Sequence, residues 1–188
     1  MKKRFLAATA SVFALGLIGA ASVGIGDETA RDTAAPIAVA TAQGNAPDFT
    51  GIGKWFNSAP LKVAELRGKV VLVNFWTYGC VNCINALPHV VALNEKYKDR
   101  GLVVVGVHTP EFPFERSAAN VQTALKRHGI TYPVAQDNDW KTWNAWRNQY
   151  WPAQYIIDQN GKIVFQHAGE GQYEQIDRTV ARLLSANG

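Results

Sequence analysis

The chain has 188 residues, 47% of them hydrophobic and 18% charged, which is enough apolar content for one domain with a sizeable core. Lys and Arg number 19 against 15 Asp and Glu, a formal charge of +4, but Lys2, Lys3 and Arg4 supply part of that excess at the extreme N-terminus. Without them 16 basic residues face 15 acidic ones, a balance that gives no support to a nucleic-acid partner.

Lys2 to Arg4 form a basic start, Phe5 to Ile18 an apolar stretch, and Gly19-Ala20-Ala21-Ser22 a small-residue cleavage region, so residues 1–22 read as an export signal. The alternative is an uncleaved membrane anchor, because no charge interrupts the chain from Phe5 to Ile25. Either way the rest of the chain is expected in the periplasm or another extracytoplasmic, oxidising compartment. No cysteine near the cleavage region offers a lipid anchor, and no arginine pair marks the twin-arginine route. Residues 23–47 are rich in Ala, Thr and Asp and read as a flexible linker, leaving 48–188 as the folded domain.

Within that domain, Ile52 to Phe56 and Leu61 to Leu66 flank Asn57-Ser58-Ala59-Pro60 and read as a pair of edge strands. Val70 to Phe75 is apolar without alternation, the pattern of a strand covered on both faces. Trp76-Thr77-Tyr78-Gly79 follows, then Cys80-Val81-Asn82-Cys83, and from there Ile84, Leu87, Val90, Val91 and Leu93 recur at helical spacing. The cysteines therefore fall at a helix N-terminus, where free N–H groups and the helix dipole favour thiolate over thiol. Cys80 is the expected nucleophile, and Cys83, one turn later, the thiol that displaces whatever Cys80 captures.

Two plainer explanations of the cysteines are weaker. Structural zinc needs four ligands, yet there is no third cysteine, and His89, His108, His128 and His167 are scattered. A structural disulfide closing so short a loop contributes only about 2 kcal/mol. No metal or other cofactor is called for beyond a redox-active Cys80–Cys83 disulfide.

Gly101 ends the helix, and Leu102 to Val107 is a second β-branched run, giving a right-handed strand–helix–strand unit with parallel strands. The loop from His108 to Pro113 then lies at the same sheet edge as Cys80, which makes His108 and Glu111 candidates for proton transfer. Arg116 to His128 is a surface helix stopped by Gly129, and Ile130 to Ala135 a short strand. Asp139 is placed to cap a helix whose Trp140, Trp143 and Trp146 share one side, either packed on the sheet or forming a platform for a polypeptide. Tyr150-Trp151-Pro152-Ala153 leads into a strand at Gln154 to Asp158, a turn at Gln159-Asn160-Gly161 and an antiparallel strand at Lys162 to His167. An amphipathic helix from Gln172 to Leu184 closes the chain.

Phe75-Trp76, Cys80-Val81-Asn82-Cys83 and Pro88 together resemble the thioredoxin superfamily. Within it, Phe75-Trp76-Thr77-Tyr78, Pro88-His89-Val90 and Gly106-Val107-His108-Thr109-Pro110-Glu111-Phe112 are most similar to the TlpA, ResA and DipZ branch, above all the thioredoxin-like domain of DipZ. The resemblance implies an α/β fold, a thioredoxin-like mixed sheet flanked by helices, with a βα insertion and an N-terminal strand pair. It also implies that Pro88 kinks the active-site helix. Pro152 takes the place of a cis-proline facing the cysteines, where the Trp151-Pro152 backbone would position the substrate. The implied activity is thiol–disulfide oxidoreduction on protein thiols or disulfides, more as reductant than oxidant, with a membrane electron-transfer partner.

Some positions depart from that pattern. The acidic residue that many thioredoxins carry before the Phe-Trp pair is Asn74, and the glutamate of ResA-type proteins after the second cysteine is Ala86. Asparagine cannot take up a proton, and Glu111 is the expected substitute. Two other functions stay open: a copper carrier holding Cu(I) through Cys80, Cys83 and His108, and a thiol peroxidase. For the peroxidase Thr77 fits the signature, while Val73 stands where that signature needs proline.

Overall fold

The computed structural model describes residues 44–186; the stretch read as an export signal or anchor, and all but the end of that read as a linker, lie outside the described residues. Strand β1, Lys54–Phe56, is a short edge strand. The central element is β2, Val70–Trp76, buried along its whole length. Side chains on both faces leave water, and each large one contributes about 1.5–3 kcal/mol on burial. That explains the absence of polar alternation.

Helix α1, Val81–Tyr97, crosses over from β2 to β3, Leu102–His108, which pairs parallel to it with Val70 opposite Leu102 and Trp76 opposite His108. Parallel pairing brings both strands to the same edge, so the loops after Trp76 and after His108 meet. Helix α2, Ala118–Arg127, then leads to β4, Val134–Gln136, parallel to β3 and covered on its outer side by antiparallel β1. This helix and strand are the expected βα insertion. A short helix α3, Lys141–Ala145, precedes β5, Ala153–Ile157, which runs antiparallel to β2 and forms a hairpin with β6, Ile163–Ala168. Helix α4, Tyr173–Ser185, ends the described chain. The six-stranded sheet has the order β1-β4-β3-β2-β5-β6.

Alternation along β2 divides the core. Val70, Leu72 and Trp76 pack with Leu87, Val90, Val121, Leu125, Ile176 and Val180, contributed by α1, α2 and α4. Val71, Val73 and Phe75 face the other way, onto Trp143, Trp146 and Tyr155. The tryptophan stripe is therefore mainly core: Trp143 and Trp146 are buried, with Trp140 half-buried beside them.

Several local expectations need correction. Leu61 to Leu66 is not the second strand of a pair; Val63–Leu66 forms a 3-10 turn, and β1 pairs with β4 instead. Ile130 and Tyr132 turn into the core before the strand, which begins only after Pro133. The N-terminal N–H groups of α3 are satisfied by Asp137, not Asp139: the Asp137 carboxylate accepts from Thr142 and Trp143 at 3.2 and 2.8 Å. Asp139 lies exposed, 3.4 Å from Arg116. Ordered contacts also begin inside the stretch read as linker, where Asn45 bridges to Lys162 and the Ala46 N–H donates to the Gly161 carbonyl at 2.9 Å.

Candidate functional site

Cys80 is the N-cap of α1, with extended backbone at φ −87° and ψ 118°. Its sulfur accepts the N–H of Cys83 at 3.3 Å and is half-buried, reachable from solvent. Cys83, in the first turn, is 1% exposed, and both thiols are free. Burial pushes the Cys83 thiol far up from its ordinary range, helped by the hydrogen bond to Cys80; a hydrogen bond from the Thr77 backbone opposes the shift, and the charge of Glu111 adds to it. Cys83 thus stays a protonated thiol while Cys80 meets the solvent.

The Trp151–Pro152 bond is cis, and the Trp151 carbonyl lies 4.0 Å from the Cys80 sulfur. Trp151 is fixed from below by Trp143, at 4.1 Å between ring centroids, and from the side by its indole N–H, which donates to the Thr109 carbonyl at 3.0 Å. The strand order accounts for this meeting: β5 begins where β2 ends. Around the same mouth stand the large apolar side chains that remain exposed among the described residues, Val81, Phe112, Phe114 and Tyr150. Phe112 and Phe114 stack at 5.7 Å, and the Tyr78 hydroxyl donates to the Phe114 carbonyl at 2.7 Å.

His108 is brought to the same edge but is fully buried, stacked on Tyr78 with its Nε2 3.3 Å from Thr77 Oγ1. Burial pushes its pKa down to about 4, against the opposing charge of Glu115, so the ring is neutral over the physiological range. The unfolded chain takes up this proton near the ordinary histidine value of about 6.5, and the folded chain only near 4. The associated stability is therefore present above about pH 6.5 and lost as the pH falls toward 4, amounting to about 3 kcal/mol. Urea unfolding at about pH 7 and pH 4.5 should show that slope, and His108→Gln should flatten it.

Glu111 is exposed, and its N–H donates to the carboxylate of Glu115. Its own carboxylate reaches Cys83 through its field rather than through a hydrogen bond. At Asn74, the amide oxygen accepts from Gln154 Nε2 at 3.4 Å, so a buried amide pair occupies the place where an acid would titrate. Among the described residues no three His, Cys, Asp or Glu side chains form a group that could hold a metal ion.

Glu115 escaped the sequence reading. It is wholly buried, and its carboxylate accepts three backbone N–H groups: Gly79 at 2.8 Å, Glu111 at 2.6 Å and Phe112 at 2.8 Å. The available signal was Phe112-Pro113-Phe114-Glu115, proline at the start of a short turn with a glutamate placed to fold back on it.

The family described as Redoxin matches residues 41–183. Protein DipZ of Mycobacterium bovis is 48% identical over 145 residues, which cover 76% of this chain but only 21% of DipZ. The chain thus spans about a fifth of that relative's length. The thiol-disulfide oxidoreductase YkuV of Bacillus subtilis is 30% identical over 139 residues, covering 74% of this chain and 93% of YkuV. Among solved structures, a thioredoxin-like protein in its oxidised form superposes with a TM-score of 0.69 at 30% identity, over 76% of this chain and 96% of its own. With a mixed six-stranded sheet of thioredoxin-like fold and a family match running from before β1 into α4, the chain belongs to the Redoxin family.

Proposed function

We propose that the protein is an extracytoplasmic thiol–disulfide oxidoreductase that acts mainly as a reductant of protein disulfides. The observation that carries this reading is the asymmetry of the two thiols, a solvent-facing sulfur at a helix N-cap and a buried one a turn behind it. In the proposed cycle the Cys80 thiolate attacks a substrate disulfide, forming a mixed disulfide and releasing one substrate thiolate, which takes up a proton. Cys83 then gives its proton to water or to Glu111 and attacks the Cys80 sulfur. The Cys80–Cys83 disulfide forms, the second substrate thiol leaves, and two electrons have passed to the substrate.

The exposed rim of Val81, Phe112, Phe114 and Tyr150 supports a polypeptide substrate with apolar side chains beside its disulfide, aligned along the Trp151-Pro152 backbone. The basic, apolar, small-residue pattern of residues 1–22 supports export. The reducing direction, with a membrane electron donor to sustain it, is what the resemblance to the TlpA, ResA and DipZ branch implies.

Cys83→Ser tests the cycle at its midpoint. The variant should attack a disulfide-bonded protein once and stop, accumulating a covalent adduct at Cys80 that non-reducing electrophoresis detects and dithiothreitol releases. Absence of any adduct with a range of disulfide-bonded proteins would remove the reading.

A further inference from the structure

The residue immediately before the nucleophile is bonded through its own N–H to a buried carboxylate. Gly79 donates its N–H to Glu115 Oε1 at 2.8 Å, and the other oxygen is held by the N–H groups of Glu111 and Phe112. The approach is so close that a Cβ on residue 79 would run into that oxygen, so only glycine leaves the carboxylate where it stands. Such a site costs desolvation energy, which three N–H donors offset without any opposite charge. Among the described residues none of the ion pairs includes Glu115. Neighbouring Arg116 points away, to the Asn138 carbonyl at 2.8 Å and to Asp139. The other groups on this loop and the one facing it do not compensate: His108 is neutral, Tyr78 is committed to the Phe114 carbonyl, and Glu111 is itself acidic.

We propose that Glu115 is a positioning residue that sets the electron-donating tendency of the cysteine pair, by clamping the loop before Cys80 with an uncompensated negative charge. The inference rests on the disulfide-exchange reading above. A thiolate at Cys80 exists only in the reduced form, whereas the Cys80–Cys83 disulfide carries no charge. A fixed negative charge bonded to the N–H of the preceding residue therefore raises the free energy of the reduced form and leaves the oxidised form alone. Stabilising the reduced form makes a couple a stronger oxidant, so destabilising it makes a stronger reductant. On this account the reducing character comes from outside the Cys80–Cys83 motif, whose intervening residues Val81 and Asn82 are uncharged.

The test is the equilibrium with glutathione. The two thiols give two electrons and two protons to one glutathione disulfide, forming the intramolecular disulfide and two glutathione thiols. Glu115→Gln, which removes the charge and keeps the size, should shift this equilibrium about tenfold toward the reduced protein, equivalent to about 30 mV. Alkylation of Cys80 by iodoacetamide should quicken in the same variant, because the carboxylate charge that opposes an anionic sulfur is gone.

Gly79→Ala, which drives the carboxylate off the amide, should shift the equilibrium in the same direction, and combining the two should add less than the sum of both. A folded Glu115→Gln protein whose equilibrium stays within twofold of the parent, or moves toward the disulfide, overturns the proposal. If circular dichroism shows Glu115→Gln unfolded, Gly79→Ala decides by the same criterion. A protein that never forms the Cys83→Ser adduct would defeat the exchange reading itself. An unchanged equilibrium in a protein that does form it defeats only the role of Glu115.

Discussion

Replacing Cys80 by Ser is expected to lower disulfide-reductase turnover by about three orders of magnitude or more while leaving the fold intact. The two halves of that expectation have separate causes. Serine is among the preferred residues at a helix N-cap, so its hydroxyl oxygen can take over the Cys83 N–H that the Cys80 sulfur accepts at 3.3 Å. The first turn of α1 should therefore hold, and the unfolding midpoint should match or slightly exceed that of the parent. Chemistry fails regardless, because a hydroxyl is not ionised at neutral pH and cannot form a mixed disulfide. Reduction of a disulfide-bonded protein in the presence of dithiothreitol, measured beside a urea curve, reads both. Activity above a tenth of the parent's would mean that Cys80 is not the attacking sulfur.

The largest loss of stability from a single truncation is expected at Phe75, not at the cysteines. Its ring is wholly buried and makes edge contacts with Trp143, Trp146 and Tyr155, all at centroid separations between 5.7 and 5.8 Å. Phe75→Ala removes the ring from the middle of this cluster, where the flanking indoles are too large to collapse into the void. The cost should be about 3–5 kcal/mol, a large part of a typical domain's stability. The effect should also reach the site, because Trp143 supports Trp151 and Trp151 borders Cys80. Denaturant unfolding followed by tryptophan fluorescence measures the first effect, and KM for a disulfide-bonded protein the second. A loss below about 1 kcal/mol would show that the cluster can repack.

The main lines of the fold were legible because long apolar runs have few alternatives. Val70 to Trp76 and Leu102 to His108 are too apolar for a surface and too short for a buried helix, and the helix between them imposes parallel pairing. From that pairing alone the loops bearing Cys80 and His108 had to meet. Short elements were harder. Leu61 to Leu66 holds apolar residues without a decisive period, and its 3-10 turn follows from tertiary packing of Val63. Asp137 and Asp139 are equally plausible caps by residue type, and only the left-handed backbone at Trp140, φ 60°, determines which carboxylate faces the helix.

The acids of the site show the same limit. Glu111 and Glu115 lie four residues apart in one loop, and sequence favours Glu111 as nearer the sheet edge. The turn at Pro113–Arg116 reverses that order, burying Glu115 and leaving Glu111 in solvent. His108 lies at the expected edge, yet the aromatic neighbours that seal it, Trp76 and Tyr78, stand 32 and 30 positions earlier in the chain.

The tie between Asn45 and Lys162 gives the molecule a polarity of its own. Because β5 runs away from Cys80, the turn joining it to β6 sits at the opposite pole, about 20 Å away along the strands. The described chain begins at that pole, where the Gly44 carbonyl accepts the N–H of Ile163 at 3.1 Å. A polypeptide docking at the cysteines therefore meets neither this turn nor the residues from Gly44 to Ala46 that are tied to it.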